Sequence, residues 1–226
     1  MTVDPAILNI ITAALAGTVS KTYDGTLTAT LAPDNFLLSG FVNGDSASVT
    51  KTTGSYAGKN IGSNILVSTS LAGSDFSPAG YTYLSNYTLP TSASGNIGTI
   101  TAAGLTVTGA AAQNKVYDAT AAATIAGANL SGVLLTDSVT LGNAASGTFA
   151  NKNVGTSKAV TTAMTISGGD AGNYTLTQPL GLAANITARG LNVTATGVNK
   201  VYDGLTGHDR HPGGQPRTGR HPHHRL

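Results

Sequence analysis

The side chains able to do chemistry in this chain are few, and they recur at fixed places. Asp24, Asp118 and Asp203 each follow a tyrosine, Tyr23, Tyr117 and Tyr202, in the stretches Lys21-Thr22-Tyr23-Asp24-Gly25, Lys115-Val116-Tyr117-Asp118-Ala119 and Lys200-Val201-Tyr202-Asp203-Gly204. A second set of carboxylates, Asp45 and Asp137, recurs in the next acidic turn, and Lys59 and Lys152 recur beside asparagine. Recurrent aspartates suggest calcium held at domain junctions. Calcium takes six to eight oxygens, usually with a bidentate Glu, and the chain has no Glu. The competing chemistry is a turn carboxylate that accepts backbone N–H groups. For the tyrosines the alternatives are an exposed adhesive ring or a core or corner residue. For Lys59 and Lys152 they are an anion site or a solvated turn. Catalysis lacks its parts: there is no Cys, and all five His follow Thr206, so no nucleophile with a base can be assembled in the repeats. No catalytic, cofactor or metal residue is assigned, and no ligand-binding residue is identified.

These residues are positioned by a long internal repeat. The Tyr-Asp pairs are spaced by 94 and then 85 residues. Behind each of the first two come Gly44-Asp45 or Thr136-Asp137, then Lys59-Asn60-Ile61-Gly62 or Lys152-Asn153-Val154-Gly155. Next come Asn86-Tyr87-Thr88-Leu89 or Asn173-Tyr174-Thr175-Leu176, then Ile100-Thr101-Ala102 or Ile186-Thr187-Ala188. Solenoid units repeat every ~20–50 residues and cannot bury a core alone, whereas a unit of this size can. Independent domains, arranged like beads on a string, are therefore expected.

The patterning within each unit is that of strands. Leu27, Ala29 and Leu31 alternate with Thr26, Thr28 and Thr30, and Ile65, Val67 and Leu71 keep that register, as half-buried β-strands require. Turns are expected at Asn43-Gly44-Asp45 and Gly73-Ser74-Asp75. In the second unit strands are expected at 105–108, 120–125, 130–133, 138–141, 147–149, 158–166 and 173–177, with an eighth at 182–186. Many short, evenly spaced strands argue for an all-β fold of tandem immunoglobulin-like antiparallel sandwiches. A parallel β-helix is the alternative, and it lacks its period near 20. Asp170-Ala171-Gly172-Asn173-Tyr174-Thr175-Leu176 matches the tyrosine corner of such sandwiches, with Leu176 in the core position. A looser corner is expected at Tyr87, which follows an insertion containing Tyr81 and Tyr83.

The formal charge of +2 is misleading. Residues 1–206 hold seven Lys and one Arg against nine Asp, a net of −1, and the last twenty residues hold four Arg and one Asp. The repeats have no stripe of cations interleaved with aromatics, so nucleic acid is not an expected partner. The apolar run 6–16 has no preceding Lys or Arg and is too short to span a bilayer, so no membrane insertion is expected either.

The recurrent K-[TV]-Y-D-[GA] opening, the Lys-Asn-[IV]-Gly knot, the Asn-Tyr-Thr-Leu strand and the Ile-Thr-Ala connector resemble YDG-type repeats, related to the MBG group of bacterial immunoglobulin-like domains. The resemblance covers roughly residues 9–206. It implies tandem arrays in large secreted proteins of the filamentous haemagglutinin and adhesin type, an extracellular or bacterial cell-surface location and a non-catalytic role. Neighbouring repeats of the same chain are the partners it implies, with a host-cell surface or extracellular glycan met through the parent protein.

The divisions follow from the landmarks. Residues 1–12 are read as the end of a preceding repeat, because Ile11-Thr12-Ala13 matches Ile100-Thr101-Ala102. Repeat 1 spans 13–101, repeat 2 spans 102–187, and 188–206 begin a truncated third. Residues 207–226, rich in His, Arg, Pro and Gly, are read as the product of a shifted reading frame and as disordered. Dropping one nucleotide lets Gly-His-Asp-Arg-His-Pro become Ala-Thr-Thr-Ala-Thr-Leu, which suits a repeat.

Overall fold

The computed structural model describes residues 9–134, 136–197, 199 and 201–202. The chain forms two compact units, Met1–Arg189 and Gly190–Leu226. In the second, the described residues adopt no regular secondary structure, and Leu191, Val193, Val201 and Tyr202 are exposed. The tail expected from a shifted frame, 207–226, lies outside the described residues.

The first unit is all-β: among its described residues the only helical pieces are four 3-10 turns of three residues each. In repeat 1 a five-stranded sheet forms in the order Val19–Thr22, Ser92–Thr101, Gly62–Ser70, Thr53–Tyr56 and Thr28–Thr30. Its pairs are antiparallel except that Val19–Thr22 runs parallel to the last strand of the repeat, Ser92–Thr101. Opposite lie three short pairs: Asn9–Ile10 with Tyr87–Thr88, Thr12–Leu15 with Phe36–Ser39, and Ser46–Val49 with Phe76–Ala79. The inward residues of both layers, Ala29, Tyr56, Val67, Ala93 and Ile100 from one and Leu15, Val49 and Phe76 from the other, make one buried cluster. That is the sandwich expected from two-residue periodicity. Ala29 and Leu31 are buried as expected, but Leu27 is 47% exposed, because the strand starts only at Thr28.

Residues 9–12 pair within repeat 1 rather than ending a preceding one. Thr12 stands opposite Ser39 as Thr106 stands opposite Ser131, which puts Ile11 in register with Leu105 and not with Ile100. Both are fully buried, at 1% and 0% exposure.

Repeat 2 repeats the plan. Its larger sheet runs Ala111–Ala112, Ala122–Ala126, Ser146–Phe149, Gly155–Thr161, Ala183–Thr187, Lys115–Val116, and Ala103–Thr108 sits between Asn129–Ser131 and Tyr174–Thr177. The strand expected over 158–166 is divided. Gly155–Thr161 stays in the larger sheet, and Thr165–Ser167 pairs with Thr140–Gly142. The crossover is held by Gln178, which accepts from Met164 N and Thr162 Oγ1 and donates to Met164 O. Val160 and Met164 remain buried on either side, so the apolar alternation persists while the backbone changes sheet.

Between the repeats there is almost no linker. Ser92–Thr101 ends and Ala103–Thr108 begins with only Ala102 between them. The repeats are also not separate beads. Leu105 and Tyr174 of repeat 2 belong to the same apolar cluster as Tyr23, Tyr56 and Ile100 of repeat 1, and a second cluster around Phe149, Val160 and Ile186 fills the rest of repeat 2.

The closeness of the layers yields a test. A Cβ built on Gly95 would lie 2.1 Å from the carbonyl oxygen of Leu15, in a place where only backbone movement makes room. Gly95→Ala is expected to cost ~2–3 kcal/mol by overpacking. Gly104→Ala, where a Cβ meets nothing within 4 Å, is expected to change stability by less than about 1 kcal/mol. Urea unfolding midpoints of the two variants check the difference.

Candidate functional site

The recurrent Lys-x-Tyr-Asp stretch closes a local clamp. Lys21 Nζ donates to Asp24 Oδ1 at 2.7 Å and to the carbonyl of Thr26 at 2.7 Å, and Asp24 Oδ1 accepts from Thr26 N and Oγ1, both at 2.9 Å. Lys115, Asp118 and Thr120 reproduce it at 2.8, 2.9 and 2.9 Å. Each ammonium also stands over an aromatic ring, Tyr56 at 5.2 Å or Phe149 at 5.6 Å, a favourable cation–π arrangement. The turn that the clamp closes bends through a left-handed residue, Gly25 at φ 74° or Ala119 at φ 68°. The Lys115 ammonium holds the Asp118 carboxyl far below the ordinary carboxylate range, helped by Thr120. At Asp24, burial pushes the carboxyl up, but Lys21 and Thr26 outweigh it and the net direction is down. The threonine two residues after Asp24 and Asp118 recurs in the sequence, whereas Leu205 holds that place after Asp203.

The acidic turns do something different. Asp45 Oδ2 accepts from the hydroxyl of Tyr87 at 2.7 Å, and that hydroxyl in turn accepts from Val42 N at 3.4 Å. In repeat 2, Asp137 Oδ2 accepts from Tyr174 at 2.7 Å while Leu134 N donates to the same hydroxyl at 3.2 Å. The tyrosine thus reaches a loop 37 to 45 residues upstream, not the few residues of a tyrosine corner. The arrangement is present in both repeats, so Tyr87 is tied down like Tyr174. Asn43 and Gly44, at φ 56° and 81°, form the left-handed turn that aims Asp45 inward.

Asp137 stands at the meeting of the repeats. Besides Tyr174 it accepts, at 2.8 Å, the hydroxyl of Tyr23 from repeat 1, and the two tyrosine rings meet edge to face with centroids 5.4 Å apart. Lys59 Nζ lies 3.6 Å from Asp137 Oδ1 and 3.6 Å from Asp170 Oδ1. The Asp137 side chain has no solvent exposure, and its Oδ1, which has no hydrogen bond, faces this ammonium. Beside it, Asn173 Oδ1 accepts from Ile61 N at 3.1 Å and Asn173 Nδ2 donates to Asn60 Oδ1 at 3.1 Å. The Lys-Asn knot of repeat 1 is therefore bound to repeat 2 by hydrogen bonds and ion pairs. Its residues stay partly solvated, with the Lys59 side chain 41% exposed, and the ammonium bridges two carboxylates of repeat 2.

The electrostatics follow from this packing. The Tyr174 hydroxyl, and after it Tyr23 and Lys59, hold the Asp137 carboxyl below the usual range against the upward push of burial. Burial, and then the Asp137 carboxylate, raise the phenols of Tyr23 and Tyr174 above their ordinary value. Each group favours the ionisation state of its partner.

The other candidates fall elsewhere. Asp45 and Asp137 accept hydroxyl hydrogens, while Asp24 and Asp118 accept a backbone N–H as a turn carboxylate does. Tyr23 is buried, Tyr117 half-buried, and Tyr202 exposed. Tyr81 and Tyr83 are 96% and 69% exposed. Asp203 lies outside the described residues. Among the described residues no three His, Cys, Asp or Glu side chains stand close enough together to hold a metal, and no helix is long and apolar enough to cross a membrane.

No curated protein and no solved structure matches the chain. The family model of the YDG domain matches it twice, over residues 5–95 and 101–180. The two matches fall on the two sandwiches just described and together cover most of the sequence, so the chain belongs to the YDG domain family.

Proposed function

We propose that this chain is a stretch of structural spacer, non-catalytic, in the stalk of a large bacterial secreted or surface adhesin. The observation that carries the reading is the junction. A single-residue connector, a shared apolar cluster and a bridged pair of carboxylates leave little freedom to bend between repeats. A stiff, inert rod is what a stalk needs, and interfaces between domains that are small and wet would not give it. Small-angle scattering of the full chain tests this. The expected result is a single distance distribution for the two sandwiches, unchanged between low and high salt, since the apolar part of the junction is not screened. A distribution that broadens as in a hinged pair would overturn it.

A second reading is a binding module, favoured by the exposed rings of Tyr81 and Tyr83 in an insertion that repeat 2 lacks. Aromatic faces suit sugar rings. The open groove of about 430 Å³ on repeat 1, lined by Lys51, Thr53, Ser55, Ser68 and Ser92 among others, offers no aromatic face. Saturable binding of the full chain on a glycan array, lost in Tyr81→Ser with Tyr83→Ser, would favour this reading over the spacer.

A further inference from the structure

Repeat 1 enters the junction with four residues, Tyr23, Lys59, Asn60 and Ile61. Repeat 2 carries the same set, Tyr117, Lys152, Asn153 and Val154, with the lysine 35 residues after the tyrosine instead of 36. The backbone that presents them is also the same. Lys21–Thr22 pairs in parallel with Ile100–Thr101 and Lys115–Val116 with Ile186–Thr187, while Gly62 and Gly155, at the end of each knot, pair with the same Ile100 and Ile186, so in each repeat the knot and the tyrosine lie beside the exit strand. In repeat 1 that strand continues through Ala102 into its neighbour.

What differs is the state of the side chains. Tyr23 is 3% exposed and gives its hydroxyl to Asp137, whereas Tyr117 is half-buried, with no hydrogen bond from its hydroxyl among the described residues. Lys59 faces two carboxylates, whereas Lys152 has none within ion-pair distance among the described residues; the apolar residue that follows is exposed in both repeats, Ile61 at 43% and Val154 at 54%, because Ile61 enters the junction through its backbone N–H. A tyrosine, a cation, an asparagine and the backbone N–H that follows it, held at the end of the sandwich, form a surface complementary to a shielded carboxylate beside an asparagine and a second tyrosine. The sequence after Thr187 is consistent with that partner, since Ala188-Arg189-Gly190-Leu191-Asn192-Val193-Thr194 matches Ala102-Ala103-Gly104-Leu105-Thr106-Val107-Thr108.

We propose that the end of repeat 2 formed by Tyr117, Lys152, Asn153 and Val154 is a docking surface for a further complete repeat joined through Ala188. That repeat presents to it the counterparts of Asp137, Asp170, Asn173 and Tyr174. The proposal rests on the spacer reading and extends it by naming the contacts through which an array propagates in one direction. Repeat 1 is a poorer acceptor than repeat 2: where Asp170 Oδ2 accepts from Ser138 N, repeat 1 uses the neutral Thr82 Oγ1, which accepts from Ser46 N and donates to Asp45 Oδ1 at 3.3 Å. A second copy of this chain is therefore a worse fit than a repeat of the second type.

The test is a chain in which residues 104–187 follow Arg189 a second time, in place of 190–226. The added counterpart of Tyr117 is changed to Phe, so that the Tyr117 peptide is unique. Nitration by tetranitromethane, read by peptide mass, reports accessibility, and strand content by circular dichroism reports folding. In the natural chain Tyr117 is expected to react and Tyr23 to be protected. In the extended chain Tyr117 is expected to slow by about tenfold or more, as burial of a ring in a stable contact requires. Lys152→Ala, or conversion of the added counterpart of Asp137 to Asn, is expected to restore part of the reactivity. An added repeat that folds while Tyr117 stays as reactive as in the natural chain overturns the proposal. So does an added repeat that fails to fold while the first two melt unchanged. A bending junction in the scattering experiment would defeat the spacer reading without altering the nitration pattern, and a reactive Tyr117 in a rigid chain would defeat only this proposal.

Discussion

Asp137→Ala is expected to lower the melting midpoint by about 10 °C. The substitution removes the charged acceptor of two tyrosine hydroxyls, one from each repeat, and leaves Lys59 with only Asp170. Among the described residues neither phenol donates to any other acceptor, and Leu134 N is a donor to Tyr174. Asp137→Asn keeps one acceptor oxygen and is expected to lose about half as much. The Asn variant also isolates the acid response. Because the folded carboxyl is held below its ordinary value, its contribution is complete above the unfolded pKa of about 4 and drains away as pH falls through the lower folded value. Asp24 and Asp118 are lowered too, but they are present in both chains, so the difference between parent and Asp137→Asn belongs to the junction. Thermal melts from pH 7 down to pH 2 are expected to converge at the acid end. At the alkaline end the sign reverses. The phenols of Tyr23 and Tyr174 are raised, so their contribution is complete below pH of about 10 and is lost as pH climbs through their folded values. A variant with the parent's midpoint and the parent's pH profile would mean that the junction contributes nothing to the fold.

The landmarks themselves were legible because each is local. A Lys-x-Tyr-Asp stretch, an acidic turn and an alternating Thr face are set by neighbours within a few residues, and period-two patterning then gave the sandwich. What local spacing could not give is the partner of each landmark. Tyr23 meets Asp137 at a separation of 114 residues, and Ile61 meets Asn173 at 112. Nothing in a 90-residue unit distinguishes a residue that completes its own core from one that completes its neighbour's. The Asp-x-Gly-x-Tyr stretch was recognised for its tyrosine, but the hydroxyl found the acidic turn because the 3-10 turn Ala171–Asn173 delivers Tyr174 to the loop at Leu134. Residues 9–12 show the same limit of local spacing. Ile11-Thr12-Ala13 matches the connector in letters, yet pairing with Phe36–Ser39 fixes its register. The one available clue to the junction was that the Lys-Asn knot recurs with no acidic partner in sequence reach of either copy.

Leu105→Ala is expected to cost about 3–4 kcal/mol, the usual range for a fully buried leucine whose site collapses only partly, and to lower the midpoint by about 10 °C in a unit of this size. The magnitude is ordinary; the distribution is informative. Leu105 has no exposure and sits three residues past the one-residue connector, in the cluster that holds Tyr23 and Ile100 as well as Tyr174. Ile186 is as deeply buried, at 1%, but lies in the cluster confined to repeat 2. If the two sandwiches unfold together because they share a core, Leu105→Ala must loosen both. Hydrogen exchange is then expected to speed up in Tyr56 and Val67 of repeat 1 as well as in Phe149 and Val160 of repeat 2. Ile186→Ala, with a similar loss of stability, is expected to speed exchange first in repeat 2 and to open the way to a separate transition. Identical exchange patterns in the two variants would place the coupling in the polar bridge of Lys59 with Asp137 and Asp170 instead. The stiffness proposed for the spacer would then fall as salt is added, because only the charged part of the junction is screened.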